Sequence, residues 1–146
     1  SFINSHLIYC MESWAWTYDS YLDPLRRLQK RAIRIITHSK YNEPSRPLFR
    51  SLKILPFDPL RDYKMTVCVN SIVKYNSPFD VSLFYSSSRP TRSLTFGNFN
   101  LAPRNNVYGE RLMQFTGIKI WNSLPIELKT SHNAAVKLKN QFLSKL

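Results

Sequence analysis

The chain has 146 residues, with 43% of them apolar or aromatic and 21 Lys and Arg set against 9 Asp and Glu. That length suits one domain or one domain with a tail, and the apolar content excludes wholesale disorder. The formal charge of +12 calls for an anionic partner, and no apolar run approaches the roughly 18 residues of a membrane span.

Phe2 to Thr17 places Ile3, Leu7, Met11 and Trp14 at three- and four-residue steps, which predicts an amphipathic helix. Asp23 as N-cap and Pro24 at the first helical position predict a second helix through Ile36. Thr37 to Pro44 reads as a connection, and Ser45 as the cap of a short helix through Leu52, with Pro47 in its first turn. Ile54 to Phe57 is an apolar link. Asp58-Pro59 repeats the cap-plus-proline start, and the helix that follows to about Tyr75 holds Leu60, Tyr63, Val67, Cys68, Ile72 and Val73, enough to be widely buried.

Turn-forming clusters mark residues 76–110: Asn76-Ser77-Pro78, Ser86-Ser87-Ser88 and Pro103-Arg104-Asn105-Asn106. Ser93 to Leu101 alternates weakly through Leu94, Phe96, Phe99 and Leu101. Two readings are open there, a short strand or hairpin, or a long loop pinned by aromatic anchors. Regularity returns at Ile118 to Pro125, and a last helix from near Asn133 carries Val136, Leu138, Phe142 and Leu146. The expected fold is mainly α: a small helical domain of four to six helices, with an irregular segment or short β-hairpin near 86–110. The expected division is a helical region over 1–85 containing the basic helix 24–36, an irregular basic loop segment over 86–116, and a C-terminal segment and helix over 117–146.

Catalysis finds little footing. Asp58 and Asp62 lie one turn apart, but Asp58 reads as a cap and Asp62, near Arg61 and Lys64, as a surface ion pair. His6, His38 and His132 are scattered, and Gly97, Gly109 and Gly117 build no phosphate cradle. No catalytic residue, metal ligand or cofactor is therefore expected in this chain. Cys10 and Cys68 are expected to be two buried thiols in a reducing compartment. Ser1 opens without Met or a basic leader, so we expect a piece of a longer intracellular protein, nuclear or cytoplasmic.

Charge is uneven: residues 1–23 carry −3, residues 24–57 carry +8 and residues 58–146 carry +7. At about 100° per residue, Arg26, Arg27, Lys30, Arg31 and Arg34 fall within an arc of about 140°. Leu25, Leu28, Ala32, Ile35 and Ile36 lie opposite and are expected to enter the core. With no acidic i,i+4 partner, Arg26/Lys30, Arg27/Arg31 and Lys30/Arg34 are like-charge pairs, an arrangement relieved when a polyanion neutralises it. Lys40, Arg46, Arg50 and Lys53 extend the patch as weaker candidates. Membrane binding by this helix is set aside because its apolar side is assigned to packing. Trp14 and Trp121 read as core; Trp16, Tyr18 and Tyr21 are open between packing and base stacking.

Leu28 to Ile36 resembles a stretch downstream of the polymerase palm in LINE-type, non-LTR retrotransposon reverse transcriptases, jockey-like ones above all. Tyr9-Cys10 followed by Trp14 resembles the helix preceding it, and Pro47-Leu48-Phe49 with Leu52 to Leu55 the segment after it. Thr91-Arg92 and Gly117 to Pro125 resemble two further elements in the same order, while Leu138-Lys139 stands where the family usually has Phe-Lys. The resemblance covers nearly the whole chain. It implies the thumb and post-thumb region of an RNA-directed DNA polymerase, whose Tyr-x-Asp-Asp palm and Mg requirement belong to the rest of the parent polypeptide. The implied partners are the RNA and DNA backbone and the upstream palm and fingers of the same polypeptide, with no membrane. The alternative is a protein-interaction module that docks on the polymerase core and binds no nucleic acid independently.

Overall fold

The computed structural model describes residues 2–75, 84, 97–101, 106–131 and 134–144. Nine helices occur among them: α1 (Phe2–Ile8), α2 (Met11–Trp14), α3 (Asp19–Ile36), α4 (Ser45–Ser51), α5 (Phe57–Tyr75), α6 (Val107–Glu110), α7 (Met113–Asn122), α8 (Ile126–Thr130) and α9 (Ala134–Ser144). The protein is mainly helical, and no strand is present among the described residues. The helix count exceeds four to six because one predicted helix is split and because α6 and α8 are too short to leave a periodic signature.

Helix α5 is central because its apolar side chains are distributed around its whole circumference, the pattern of a helix enclosed by others. Its first part, Phe57 and Leu60, joins Met11, Ala15, Leu22 and Leu55 in one cluster. Its second part, Met65, Val69 and Ile72, joins Phe84, Ile118 and Trp121 in another. Helices α2, α3, α7 and α9 all pack on it. Of the residues expected to be buried in this helix, Leu60 and Ile72 are; Tyr63, Val67 and Cys68 are half-buried and Val73 is exposed.

The first predicted helix is broken at Cys10, whose φ of 47° is left-handed. A left-handed residue other than glycine costs roughly 1 kcal/mol or more. Here the Trp14 indole N–H donates to the Tyr9 carbonyl at 2.8 Å and braces the turn. The redirected α2 then encloses Met11 and Ala15 completely. The two thiols are therefore not both buried: Cys10 is exposed and Cys68 half-buried, and both are free.

Helix α3 also departs from expectation. It starts at Asp19, with extended Tyr18 as its N-cap, so Asp23 is not a cap and Pro24 lies inside the helix. Its buried residues are Leu22, Gln29 and Ile33. Relative to the predicted apolar face, the helix is rolled by about 90°. Leu28, Ile35 and Ile36 are left 60%, 65% and 56% exposed, so the ground for setting a membrane aside fails. Two shifts at other helix starts are smaller. Pro44 rather than Ser45 precedes α4, and Asp58 is the second residue of α5 rather than its cap.

Residues 97–101 are irregular, and a side chain explains why. The Asn122 amide accepts from Phe99 N–H at 3.0 Å and donates to the Phe99 carbonyl at 2.7 Å, satisfying both groups as a neighbouring strand would. The Trp121 indole donates to the Gly97 carbonyl at 2.9 Å, and Phe99 packs on Phe84 with centroids 5.2 Å apart. For this stretch the aromatic-anchor reading describes the contacts. The alternation at Ser93 to Phe96, and Asn133 and Leu146 of the last helix, lie outside the described residues. Replacing Asn122 by Ala should cost about 1–3 kcal/mol in urea unfolding and expose the Phe99 amide to fast hydrogen exchange. Asn122→Asp keeps an acceptor but no donor, so Phe99 protection should fall between the two.

Gly117 sets how closely α7 approaches α5. A Cβ there would stand 3.0 Å from Val69 Cγ2 and 3.4 Å from Met65 Sδ, and both side chains are fully enclosed. Alanine would gain about 1 kcal/mol of helix propensity, against an overpacking cost of about 1–3 kcal/mol. Gly117→Ala should therefore lower the thermal midpoint. In a Val69→Ala background the same change should be better tolerated, read in the double-mutant cycle as a combined cost smaller than the sum of the two single costs.

Candidate nucleic-acid interface

Five cations follow Asp23 on α3, and the roll of the helix separates them. Arg26 turns toward α5. Its Nε donates to both oxygens of Asp58 at 3.2 and 3.1 Å, and its Nη2 donates to Asp58 Oδ1 at 2.7 Å. Nη1 donates to Asp23 Oδ1 and Nη2 to Asp19 Oδ1, each at 2.7 Å. These carboxylates, Asp58 foremost, raise the Arg26 pKa further above its ordinary value. Its guanidinium also lies 5.8 Å from the centre of the Phe57 ring. Arg26 is thus a structural cation and is withdrawn from the set of phosphate contacts.

The earlier helix start makes this cage. Asp19 and Asp23 lie seven and three residues before Arg26, and so on its side of one continuous helix. Asp58 comes from the first turn of α5. Arg26 engages all three of these carboxylates, and Arg61 shares Asp58 at 3.7 Å. Arg27, Lys30 and Arg31 remain exposed, and no carboxylate among the described residues pairs with them. Arg34 is half-buried, and its Nε donates to the Glu43 carbonyl at 2.9 Å, which ties the end of α3 to the turn before α4.

The weaker candidates are dispersed. Lys40 is exposed in the connection, and Lys53 is exposed with a left-handed φ of 53°. Arg46 and Arg50 stand one turn apart on α4 and flank a concavity of about 320 Å³ with Pro47 and Ser51. The structure thus gathers Arg27, Lys30 and Arg31 on one face and Arg46 with Arg50 on another.

Other charges are satisfied internally. Asp62 does pair with Arg61, which donates to it at 3.1 Å, but the site is half-buried rather than on the surface, and burial lifts its carboxyl above the usual value against the pull of Arg61. Lys64 pairs instead with Glu12 at 3.7 Å. Trp121 is buried and Trp14 packs 5.9 Å from Phe57, as expected for core. Among the aromatics left open, Trp16 is covered by the Arg61 guanidinium at 4.3 Å and Tyr18 by Arg111 at 3.5 Å. Tyr21 is 70% exposed and meets Tyr18 edge-on.

No group of three or more His, Cys, Asp or Glu among the described residues is placed to hold a metal ion. No helix among them is long and apolar enough to cross a membrane. The chain matches no protein-family model, no curated protein and no solved structure.

Reading from Asp23 onward missed the anions that cage Arg26. The available signal was the spacing of Asp19, Asp23 and Arg26, legible only once the helix is extended back past Pro24.

Arg26→Gln should destabilise the fold by about 1–2 kcal/mol in urea unfolding, allowing for solvent screening of the exposed carboxylates. Arg27→Gln should stay within about 0.5 kcal/mol of the parent. The hydrogen bond from Arg26 holds the Asp19 carboxyl below its ordinary 3.8. A depressed carboxylate contributes stability that is present above the unfolded-state value and lost as pH falls through the folded one. Stability should therefore decline below about pH 4, and Arg26→Gln should flatten that acid limb. Asp62, whose value is raised, acts with the opposite sign and is common to both proteins, so their difference isolates the cage.

Proposed function

We propose that this chain is a non-catalytic, nucleic-acid-binding piece of a retrotransposon RNA-directed DNA polymerase, corresponding to its thumb and post-thumb region. In this reading Arg27, Lys30 and Arg31 grip the phosphate backbone of template RNA and growing DNA. Arg34, Arg46, Arg50, Lys40 and Lys53 contribute around them. The observation that carries the reading is the division of charge on α3. Arg26 engages Asp19, Asp23 and Asp58, the last shared with Arg61, and its exposed neighbours have no counter-charge among the described residues. A row of uncompensated cations on a rigid helix is suited to a polyanion whose charges recur at regular spacing. The family assignment draws on the resemblance of Leu28 to Ile36 and Gly117 to Pro125. Catalysis, with its Mg, belongs to the palm of the parent polypeptide.

Binding to a primer–template duplex across a salt series tests this reading. Each phosphate neutralised contributes about 0.9 to the slope of log affinity against log salt. Changing Arg27, Lys30 and Arg31 together to Gln should flatten that slope by about 2.7. Arg26→Gln should lower stability and leave the slope of the folded fraction nearly unchanged. An unaltered slope in the triple variant would reject the assignment. Tight binding to the purified polymerase core, with no salt-responsive binding to free nucleic acid, would favour the docking module instead.

A further inference from the structure

The roll of α3 leaves an apolar surface that nothing in the proposed function uses. Leu28, Ala32 and Ile35 stand at i, i+4 and i+7 along one side of the helix, and Ile3, Leu7 and Trp14 face them across a cleft of about 790 Å³. A smaller hollow of about 240 Å³, reaching Ile36 and Ile54, lies against the same side of α1 and α3. Leu28 and Ile35 are 60% and 65% exposed, and Ile3 is 49% exposed. Side chains so placed gain little in the isolated chain, and covering them would remove further apolar surface from water.

We infer that this cleft between α1 and α3 receives an acidic amphipathic helix from a separate partner protein. The shape fits a helix, because two helices flank a trough and one presents the i, i+4, i+7 spacing into which a third helix lays its ridge. From Leu25 to Ile36 the trough runs about 16 Å, or three turns. Charge selects the partner. Arg31 lines the cleft itself and exposed Arg27 adjoins Leu28, with no described carboxylate paired to either. A second copy would bring +12 against +12 and set arginine against arginine across the contact. A flat lipid surface would leave the concavity unfilled. Glutamates on the flank of an inserted apolar ridge that faces the cationic side of α3 would meet Arg31 and Arg27.

The test uses the full chain and a labelled synthetic peptide of about five turns, leucine at i, i+4, i+7 and i+11 with glutamate on both flanks. A scrambled peptide of equal composition, a version with lysine for glutamate, and vesicles of phosphatidylserine and phosphatidylcholine serve as comparators. The glutamate peptide should bind, and the scrambled peptide should bind at least tenfold more weakly. Leu28→Ser with Ile35→Ser should weaken binding more than tenfold, with the helical circular dichroism and the salt slope for duplex binding unchanged. Because both side chains are more than half exposed, this variant spares the core. Arg31→Glu should weaken the glutamate peptide and strengthen the lysine peptide. The inference is overturned if the scrambled peptide binds equally or if the Leu28/Ile35 variant binds the peptide as well as the parent. It is equally overturned if that variant loses vesicle binding rather than peptide binding, or dissolves a dimer seen by sedimentation.

Discussion

The ion pair between Arg26 and Asp58 fixes how α3 is rolled against α5, and the rest of the surface follows from that roll. The two residues are 32 positions apart, and Nε and Nη2 both engage the same carboxylate, so the guanidinium plane is held as well as its position. Gln29 sits one turn along the same side and donates to the Leu55 carbonyl at 3.1 Å from a buried position. Two directional polar links, flanked along the helix by Leu22 and Ile33, define the buried stripe. Apolar burial alone would have centred it near Leu28 and Ala32. Hydrophobic contact is non-directional, whereas a paired charge in a half-buried site tolerates little rotation.

That constraint divides the exposed part of α3 into two surfaces of different chemistry. Arg27, Lys30 and Arg31 stay in solvent because the local anions are already engaged. Leu28, Ile35 and Ile36 stay in solvent because the core lies on their flank rather than beneath them. Arg31 borders both surfaces. A helix that would have been half core and half solvent thus presents one cationic and one apolar face, and Leu28 and Ile35 can be changed without touching the cations, whereas Arg27 and Arg31 serve both faces.

The C-terminal residues that resemble a family motif have clear mechanical jobs in this chain. Gly117 lets α7 approach Val69 and Met65, Trp121 fills the second core cluster and holds the Gly97 carbonyl, and Asn122 brackets the Phe99 backbone. Lys129, mostly enclosed, donates to the Asn98 side chain, and burial holds its ammonium below its ordinary pKa. Lys74 reaches the Ser131 carbonyl at 2.6 Å and ties the end of α5 to the residue after α8. These contacts act on stability and geometry.

Local chemistry was enough to read the helical class, the long helices around 24–36 and 58–75, the short helix after Pro44 and the crowding of cations between 24 and 57. Each rests on spacing, proline placement or charge, which neighbouring residues carry by themselves. The break at Cys10 was not legible, since neither glycine nor proline marks it and its brace comes from Trp14 in the next turn. The sorting of the cations was legible only in part: Arg26 and Arg27 are adjacent and chemically identical, the spacing of Asp19 and Asp23 hints at the first, and the position of Asp58 in space completes the separation of a structural arginine from an exposed one. The open apolar stripe was hidden for the same reason. Periodicity tells which side chains share a face, but which face is covered depends on long-range partners, and those exist only once the chain has folded.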